Sequence, residues 1–277
     1  MESKDLSIVI VTFKSEDIIS KCLKSIPSDI KVIIVENSKN EKFKKDLENK
    51  YKNVDCILTG NNRGYAAANN IGLNLVKTKY ALVLNPDCIL GHEAISNFFI
   101  TANKVQDFHL IGPAQDQMID IDFKNDDLIE VENLKGFAIF FNMSKFSNKF
   151  FDENYFLYFE EIDLCKYVKK NNGKIYLDKN ILIKHEGASS VKKLNKTELE
   201  KNRNWHWMWS TFYYHKKFSN FYLAFLKVFP KLTSSLFKTV FYYLTFNNKK
   251  KSIYQCRLNG LINSICGKKS WYRPSLD

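Results

Sequence analysis

Residues 82–88 read Leu82-Val83-Leu84-Asn85-Pro86-Asp87-Cys88. Four apolar residues, counting Ala81, run straight into Asn-Pro-Asp. The apolar run predicts a buried strand over Tyr80–Leu84. Pro86 has no N–H to give a sheet ladder, so the strand stops there and delivers one carboxylate, Asp87, at its end.

The neighbouring segments repeat this grammar. Leu6–Phe13, "LSIVIVTF", is a continuous apolar, β-branched run and predicts a central strand covered on both faces. Ser15–Ile26 carries apolar residues at helical spacing. Lys31–Val35 is a second strand, ended by Glu36-Asn37-Ser38, and Val54–Leu58 is a third candidate. Gly60–Gly64, "GNNRG", is a loop, and Ala66–Val76 is a helix. Strands alternating with helices predict an α/β sheet with crossover connections. Further along, Leu110–Gly112, Gly136–Asn142, Ile175–Leu177 and Ile181–Lys184 are strand candidates. The acidic stretch Asp116–Glu132 reads as a surface excursion. Glu160–Asn171 predicts a helix with Gly173 past its end.

The chain has 277 residues and a net charge of +12. The charge is uneven: residues 192–277 hold 17 Lys/Arg and 3 Asp/Glu, against 25 and 27 in residues 1–191. We place a boundary near residue 190, giving a domain at 1–190 and a basic, aromatic, helical extension at 191–277. Six scattered cysteines, with no C-x-x-C pair, argue against a disulfide framework or structural zinc and fit a reducing compartment. The start of the chain shows no signal-peptide pattern. No uncharged run approaches the ~20 residues that a membrane-spanning helix needs.

In open α/β sheets, ligands sit beyond the carboxyl ends of the parallel strands. Thr12, Phe13 and Lys14 follow the first strand, and Glu36, Asn37 and Ser38 follow the second. The Gly60–Gly64 turn comes next, and Asn85 and Asp87 follow the strand at 80–84. Taken singly, each is an ordinary turn residue. As a set, they predict one ligand-binding edge.

These segments carry a resemblance. "SIVIVTF", "VIIVENS", "GNNRGYAAANNIGL", "YALVLNPDCIL", "GFAIFFN", "YFLYFEEIDLCKYVKKNNGKIY" and "HEGASS" match, in order and spacing, an inverting glycosyltransferase of the GT-A fold. The chain resembles the large bacterial group that includes rhamnosyltransferases and surface-polysaccharide enzymes. The resemblance implies a Rossmann-like, mixed, mostly parallel sheet flanked by helices, with a C-terminal α-helical extension. It gives Glu36, where the family usually has Asp, to the nucleotide base. Thr12, Phe13, Asn37, Asn62, Arg63, Gly64 and Asn85 line the nucleotide-sugar pocket, and Asn70 fixes the loop.

The resemblance also places Asn85-Pro86-Asp87 at the family's D-x-D motif. Asp87, with His185 in the Gly187-x-Ser189 context, is then expected to meet Mg2+ or Mn2+ and the donor diphosphate. A divalent ion neutralises a highly charged leaving group, and the diphosphate itself supplies other oxygen ligands. The alternative for Asp87 is a turn residue or the N-cap of a helix over 91–100. Glu160-Glu161-Ile162-Asp163-Leu164 matches the family's E-D-x-D-L segment. Inversion needs a base for the acceptor hydroxyl, and a carboxylate with a reference pKa of about 4.3 is ionised at neutral pH. Glu161 is the expected base, with Asp163 and Glu160 as rivals and helix capping as the plain alternative. Gly136 and Phe137 fall at the acceptor position.

The extension suits an anionic membrane surface, since basic residues stand beside aromatics in Asn204–Tyr214 and Lys227–Phe246. Pro230 is expected to split the latter into two helices. Packing of these aromatics on the rest of the protein is the other reading. No nucleic-acid motif accompanies them. The expectation is a metal-dependent transferase using a UDP- or dTDP-type donor. It would act on a glycan or polyprenyl-diphosphate-linked acceptor, peripherally at the inner face of the cytoplasmic membrane. The alternatives are a sugar-nucleotide nucleotidyltransferase and a non-catalytic basic protein with a decayed sugar-nucleotide site. "VTFKSED" lacks the Gly-rich phosphate loop that the former needs.

Overall fold

The computed structural model describes residues 3–114, 126–147, 149–185 and 196–273. It divides into two compact units, Met1–Asp152 with Glu161–Val191, and Glu153–Glu160 with Lys192–Asp277.

In the first unit, β1 (Leu6–Thr12), β2 (Lys31–Glu36), β3 (Val54–Leu58) and β4 (Tyr80–Leu84) pair in parallel in the order β3-β2-β1-β4. Parallel neighbours need crossovers. These are α1 (Ile19–Lys24), α2 (Glu41–Lys50) and α3 (Tyr65–Asn74). Beyond β4 the sheet turns mixed. β8 (Ala138–Asn142) runs antiparallel to β4, and β6 (Leu110–Ala114) antiparallel to β8. β9 (Ile175–His185) runs parallel to β6. The short β5 (Cys88–Leu90) and β7 (Leu128–Glu130) lie antiparallel on β9.

Both faces of the sheet are covered, as its continuous apolar strands require. Ile8, Ile10, Ile34, Leu82 and Phe140 pack with α1, α2 and α4 (Ala94–Lys104). Val9, Ile33, Val83 and Ile139 pack with α3 and α5 (Glu160–Lys170) on the other face. Phe98 of α4 stacks on Phe140 at 4.9 Å, and Tyr80 stacks on the same ring at 5.1 Å.

Several expectations need correction. After Asp87 comes strand β5, and α4 starts only at Ala94, so Asp87 does not cap a helix over 91–100. The two strands expected at 175–177 and 181–184 are one strand, β9. Its irregular stretch is held where Asn180 N donates to Asp178 Oδ1 (2.8 Å). Helix α2 was not anticipated. Its signals are an Asn40 cap, which accepts from Phe43 N (3.0 Å), and the buried i, i+4 pair Phe43 and Leu47. β7 lies within the stretch read as an acidic excursion, and residues 116–125 of that stretch fall outside the described residues.

The second unit is helical: α6 (Lys196–Phe218), α7 (Phe221–Leu244) and α8 (Asn248–Ile265). Met208, Phe212, Ala224, Val228 and Leu261 form its core, beside a cluster of Tyr155, Trp205 and Trp209. Much of the aromatic stretch Asn204–Tyr214 is therefore interior. Gly260 lets α8 approach closely, because a Cβ there would run into the Trp205 backbone. Pro230 does not divide the helix, and α7 runs through it. A helix-interior Pro costs about 3 kcal/mol. The carbonyl it orphans is that of Leu226, an exposed residue.

His206 ties the C-terminal segment to α6. Its Nε2 lies 2.9 Å from the Tyr272 carbonyl, and its Nδ1 lies 2.9 Å from Ser270 Oγ. A carbonyl only accepts, so Nε2–H donates to it and Nδ1 accepts from the serine. Burial holds the imidazole neutral, with its pKa lowered to about 3. Below the unfolded value of about 6.5, only the unfolded chain gains this proton. Stability of this unit is therefore full above that pH and falls as pH drops toward 3, by up to ~1.4 kcal/mol per unit. All four tryptophans (205, 207, 209, 271) lie in this unit. Urea unfolding followed by tryptophan fluorescence at pH 7 and pH 5 is expected to show the loss, and His206→Gln to flatten it.

Candidate active site

The parallel register sets Thr12 opposite Glu36 at the ends of β1 and β2. Thr12 Oγ1 donates to Glu36 Oε2 and Ser38 Oγ donates to Glu36 Oε1, each at 2.5 Å. Glu36 is 1% exposed, and burial pushes its carboxyl above the ordinary range against these two hydrogen bonds. Both its oxygens thus face protein hydroxyls, bracing the edge from inside.

Asn37 organises the loop beside it. Its Nδ2 donates to Asn62 Oδ1 (3.0 Å) and to the Gly64 carbonyl (3.2 Å). Its Oδ1 accepts from Arg63 N (2.9 Å) and Thr59 Oγ1 (3.1 Å). Gly64 opens α3 at φ +87, a conformation that favours glycine. The loop so held leaves Asn62 half-buried and Arg63 exposed at the sheet edge.

Asn85, Pro86 and Asp87 lie between β4 and β5. Pairing of β5 with β9 sets Cys88 opposite His185. His185 Nε2 is then 3.3 Å from Asp87 Oδ1. That oxygen is enclosed, yet accepts no hydrogen bond among the described residues. A buried acceptor without a donor is costly unless something else satisfies it. Oxygen plus imidazole nitrogen is a donor set suited to a divalent ion such as Mn2+, so the residues present fit one. Cys88 lies in the same group. Burial pushes its thiol well above the usual range, and Cys88 Sγ donates to the Phe137 carbonyl at 3.6 Å. Glu186, Gly187 and Ser189 lie outside the described residues.

Phe137 stacks on the His185 ring at 4.8 Å, with planes 10° apart. Its carbonyl accepts from Asn85 N (2.8 Å). The preceding Gly136 lies against Glu161: a Cβ built on it would sit 3.5–3.6 Å from three Glu161 side-chain carbons. Burial raises the Glu161 carboxyl, while backbone hydrogen bonds and Lys135 oppose the shift. Asp163 and Glu160 are 3% and 2% exposed, whereas Glu161 is only half-buried. One dipeptide thus links the Asp87–His185 pair to Glu161.

Residues 7–162 match the glycosyl transferase family 2 model, more than half of the chain. The chain belongs to glycosyl transferase family 2. Its fold is GT-A-like. It is 25% identical over 195 residues to the low-salt glycan biosynthesis hexosyltransferase Agl10 of Haloferax volcanii, covering 61% of this chain and 62% of that one. The chain thus spans less than two-thirds of that relative's length. It is 28% identical to the rhamnosyltransferase WbbL of Escherichia coli over 198 residues, covering 57% and 74%. The mannosyltransferase PcManGT of Pyrobaculum calidifontis, solved with GDP-Man and Mn2+, is similar in fold, with a TM-score of 0.59 at 9% identity over 96% and 88% of the two chains.

Two residues differ from the sequence reading. Asn70 is hydrogen-bonded to Phe151. Its Nδ2 donates to the Phe151 carbonyl (2.9 Å) and its Oδ1 accepts from Phe151 N (3.0 Å), and Asn37 holds the loop. Tyr65 escaped sequence reasoning. Its hydroxyl donates to the Gly136 carbonyl (2.5 Å), fixing the dipeptide just described. The aromatic right after the loop's last glycine was the available signal.

Asn37→Ala would leave the Arg63 N–H without its acceptor and release the loop. We expect a loss of about 1–3 kcal/mol in denaturant titration, with a larger fractional loss in nucleotide-sugar affinity by calorimetry.

Proposed function

We propose that this chain is an inverting, metal-dependent glycosyltransferase. It takes a sugar from a UDP- or dTDP-type donor to a glycan or polyprenyl-diphosphate-linked acceptor at the inner face of the cytoplasmic membrane. The observation that carries the reading is the Gly136-Phe137 dipeptide, with Glu161 against its glycine and the Asp87–His185 pair against its phenylalanine ring. Such an arrangement provides for leaving-group charge at one end and a base at the other, as displacement with inversion requires.

Asp87 and His185 would hold the ion, Mg2+ or Mn2+, which when bound supplies charge neutralisation for the departing diphosphate. The nucleoside lies along Thr12, Phe13, Asn62, Arg63 and Asn85, with Glu36 and Asn37 bracing that wall. The acceptor hydroxyl sits over Gly136, and Glu161 takes its proton as its oxygen bonds to the anomeric carbon. The bond from that carbon to the diphosphate oxygen breaks on the opposite side. A raised Glu161 carboxyl makes a stronger base than an exposed glutamate and is still ionised once the pH exceeds its own value. Glu161 is chosen over Asp163 and Glu160 because those two are enclosed. The glycan-biosynthesis and rhamnosyltransferase names of the relatives support a glycan acceptor.

Glu161→Gln is expected to lower kcat by about a hundredfold or more while donor affinity stays within a few-fold. If Asp163→Asn does this instead, Asp163 is the base. In the wild type, kcat/KM should fall on the acid side with an apparent pKa above the ordinary glutamate value, since protonation removes the base. Asp87→Ala should remove the Mn2+-dependent part of the thermal stabilisation given by UDP. Unchanged stabilisation by UDP with Mn2+ in that variant would refute the metal role.

A further inference from the structure

Helix α7 has two faces of different fate. Ala224, Val228 and Ser235 are buried. Tyr222, Leu226, Phe229, Phe237, Val240 and Leu244 are exposed. At 100° per residue these six fall within about 80° of one another, opposite the buried three. The exposure is large: 65% for Leu226, 70% for Phe237 and 66% for Leu244. No charged residue interrupts the stripe, which runs for roughly 33 Å at 1.5 Å per residue. Lys227, Lys231 and Lys238 are exposed too, and lie together about 120–160° round from its centre.

A continuous apolar stripe of this length on an exposed helix marks a contact surface. The charge says with what. Residues 201–276 contain 14 Lys/Arg and no Asp/Glu. A second copy pairing on this face would bring two such surfaces together, and the like charges would repel. Anionic headgroups would neutralise them instead. Among the described residues no helix is long and apolar enough to cross a membrane, so α7 would lie on a bilayer rather than span it. An apolar stripe backed by lysines is the form of a helix lying in the headgroup–acyl boundary. The lysine stems reach along the helix toward the phosphates.

We propose that this face of α7 is the surface by which the protein docks on an anionic bilayer, with Leu226, Phe237 and Val240 entering the acyl boundary. The proposal rests on the reading that the acceptor is presented by a membrane. It differs from the sequence expectation in the residues used, because the Trp205–Phe212 aromatics are largely interior and the stripe of α7 is not.

The test uses the full chain with phosphatidylcholine–phosphatidylglycerol vesicles and with phosphatidylcholine alone. The wild type should float with the anionic vesicles and lose most binding at high salt. Phe237→Glu with Val240→Glu should weaken that binding by about tenfold or more. Lys227→Gln with Lys231→Gln should weaken it more at low salt than at high salt. Phe237→Trp should be quenched by lipids brominated on the acyl chain. Circular dichroism and the thermal shift given by UDP with Mn2+ should be unchanged in all these variants. An intact UDP response together with vesicle binding that the glutamates do not reduce overturns the proposal and leaves the transferase reading standing. So does a wild type that sediments as a dimer, turns monomeric in the Glu variant and ignores vesicles. Absence of any UDP response in the wild type would count against the transferase reading, not this surface.

Discussion

The parallel pairing of β2, β1 and β4 is the constraint from which the site follows. These strands are buried on both faces, so every backbone N–H and C=O in them must be satisfied by a neighbouring strand. The register that achieves this ends β1 at Thr12 beside the end of β2 at Glu36, with β4 ending at Leu84 on the other side of β1. Polar groups released at those ends have no ladder left to bond to. They bond to each other instead: Thr12 and Ser38 to Glu36, and Asn37 to the 59–64 loop. The binding edge is thus assembled by the same requirement that holds the sheet together.

On the antiparallel side the logic differs. β8 pairs with β4 and ends the parallel block, which carries Phe137 up to Asn85. β9 returns past β5 and sets His185 beside Asp87. The Gly136-Phe137 dipeptide is held by the Tyr65 hydroxyl at one carbonyl and by Asn85 N at the next. Gly136 runs alongside Glu161, and a Cβ there would meet it at ordinary contact distance. The loop tyrosine, a glycine and an aromatic ring therefore position groups whose chemistry lies elsewhere.

The helical unit is organised around aromatics of two kinds. Trp205, Trp209 and Phe212 are interior, and buried neutral His206 pins the C-terminal segment to them. The aromatics of α7 are on the outside, where they cost solubility and so call for a partner. The sequence shows both groups as dense, basic and aromatic, and nothing in composition separates them.

The parallel strands were legible because a fully buried strand must be apolar at every position, as in "LSIVIVT" and "YALVL". The stop at Pro86 was legible because proline lacks an N–H wherever it stands. The polar residues at the strand ends were legible as a group for the same local reason. What lay outside the sequence was every placement that depends on a distant partner. Asn70 pairs with Phe151, 81 residues further along the chain. Asp87 leads into a strand because β9 is there to pair with it, not into a helix. Pro230 sits inside a helix whose Ala224 and Val228 are packed against Phe212 and Leu261. Residue type and local spacing determined which groups this protein could bring to a site. Long-range pairing and burial decided which of them meet, because only the folded chain settles which polar atoms remain without water and must find one another.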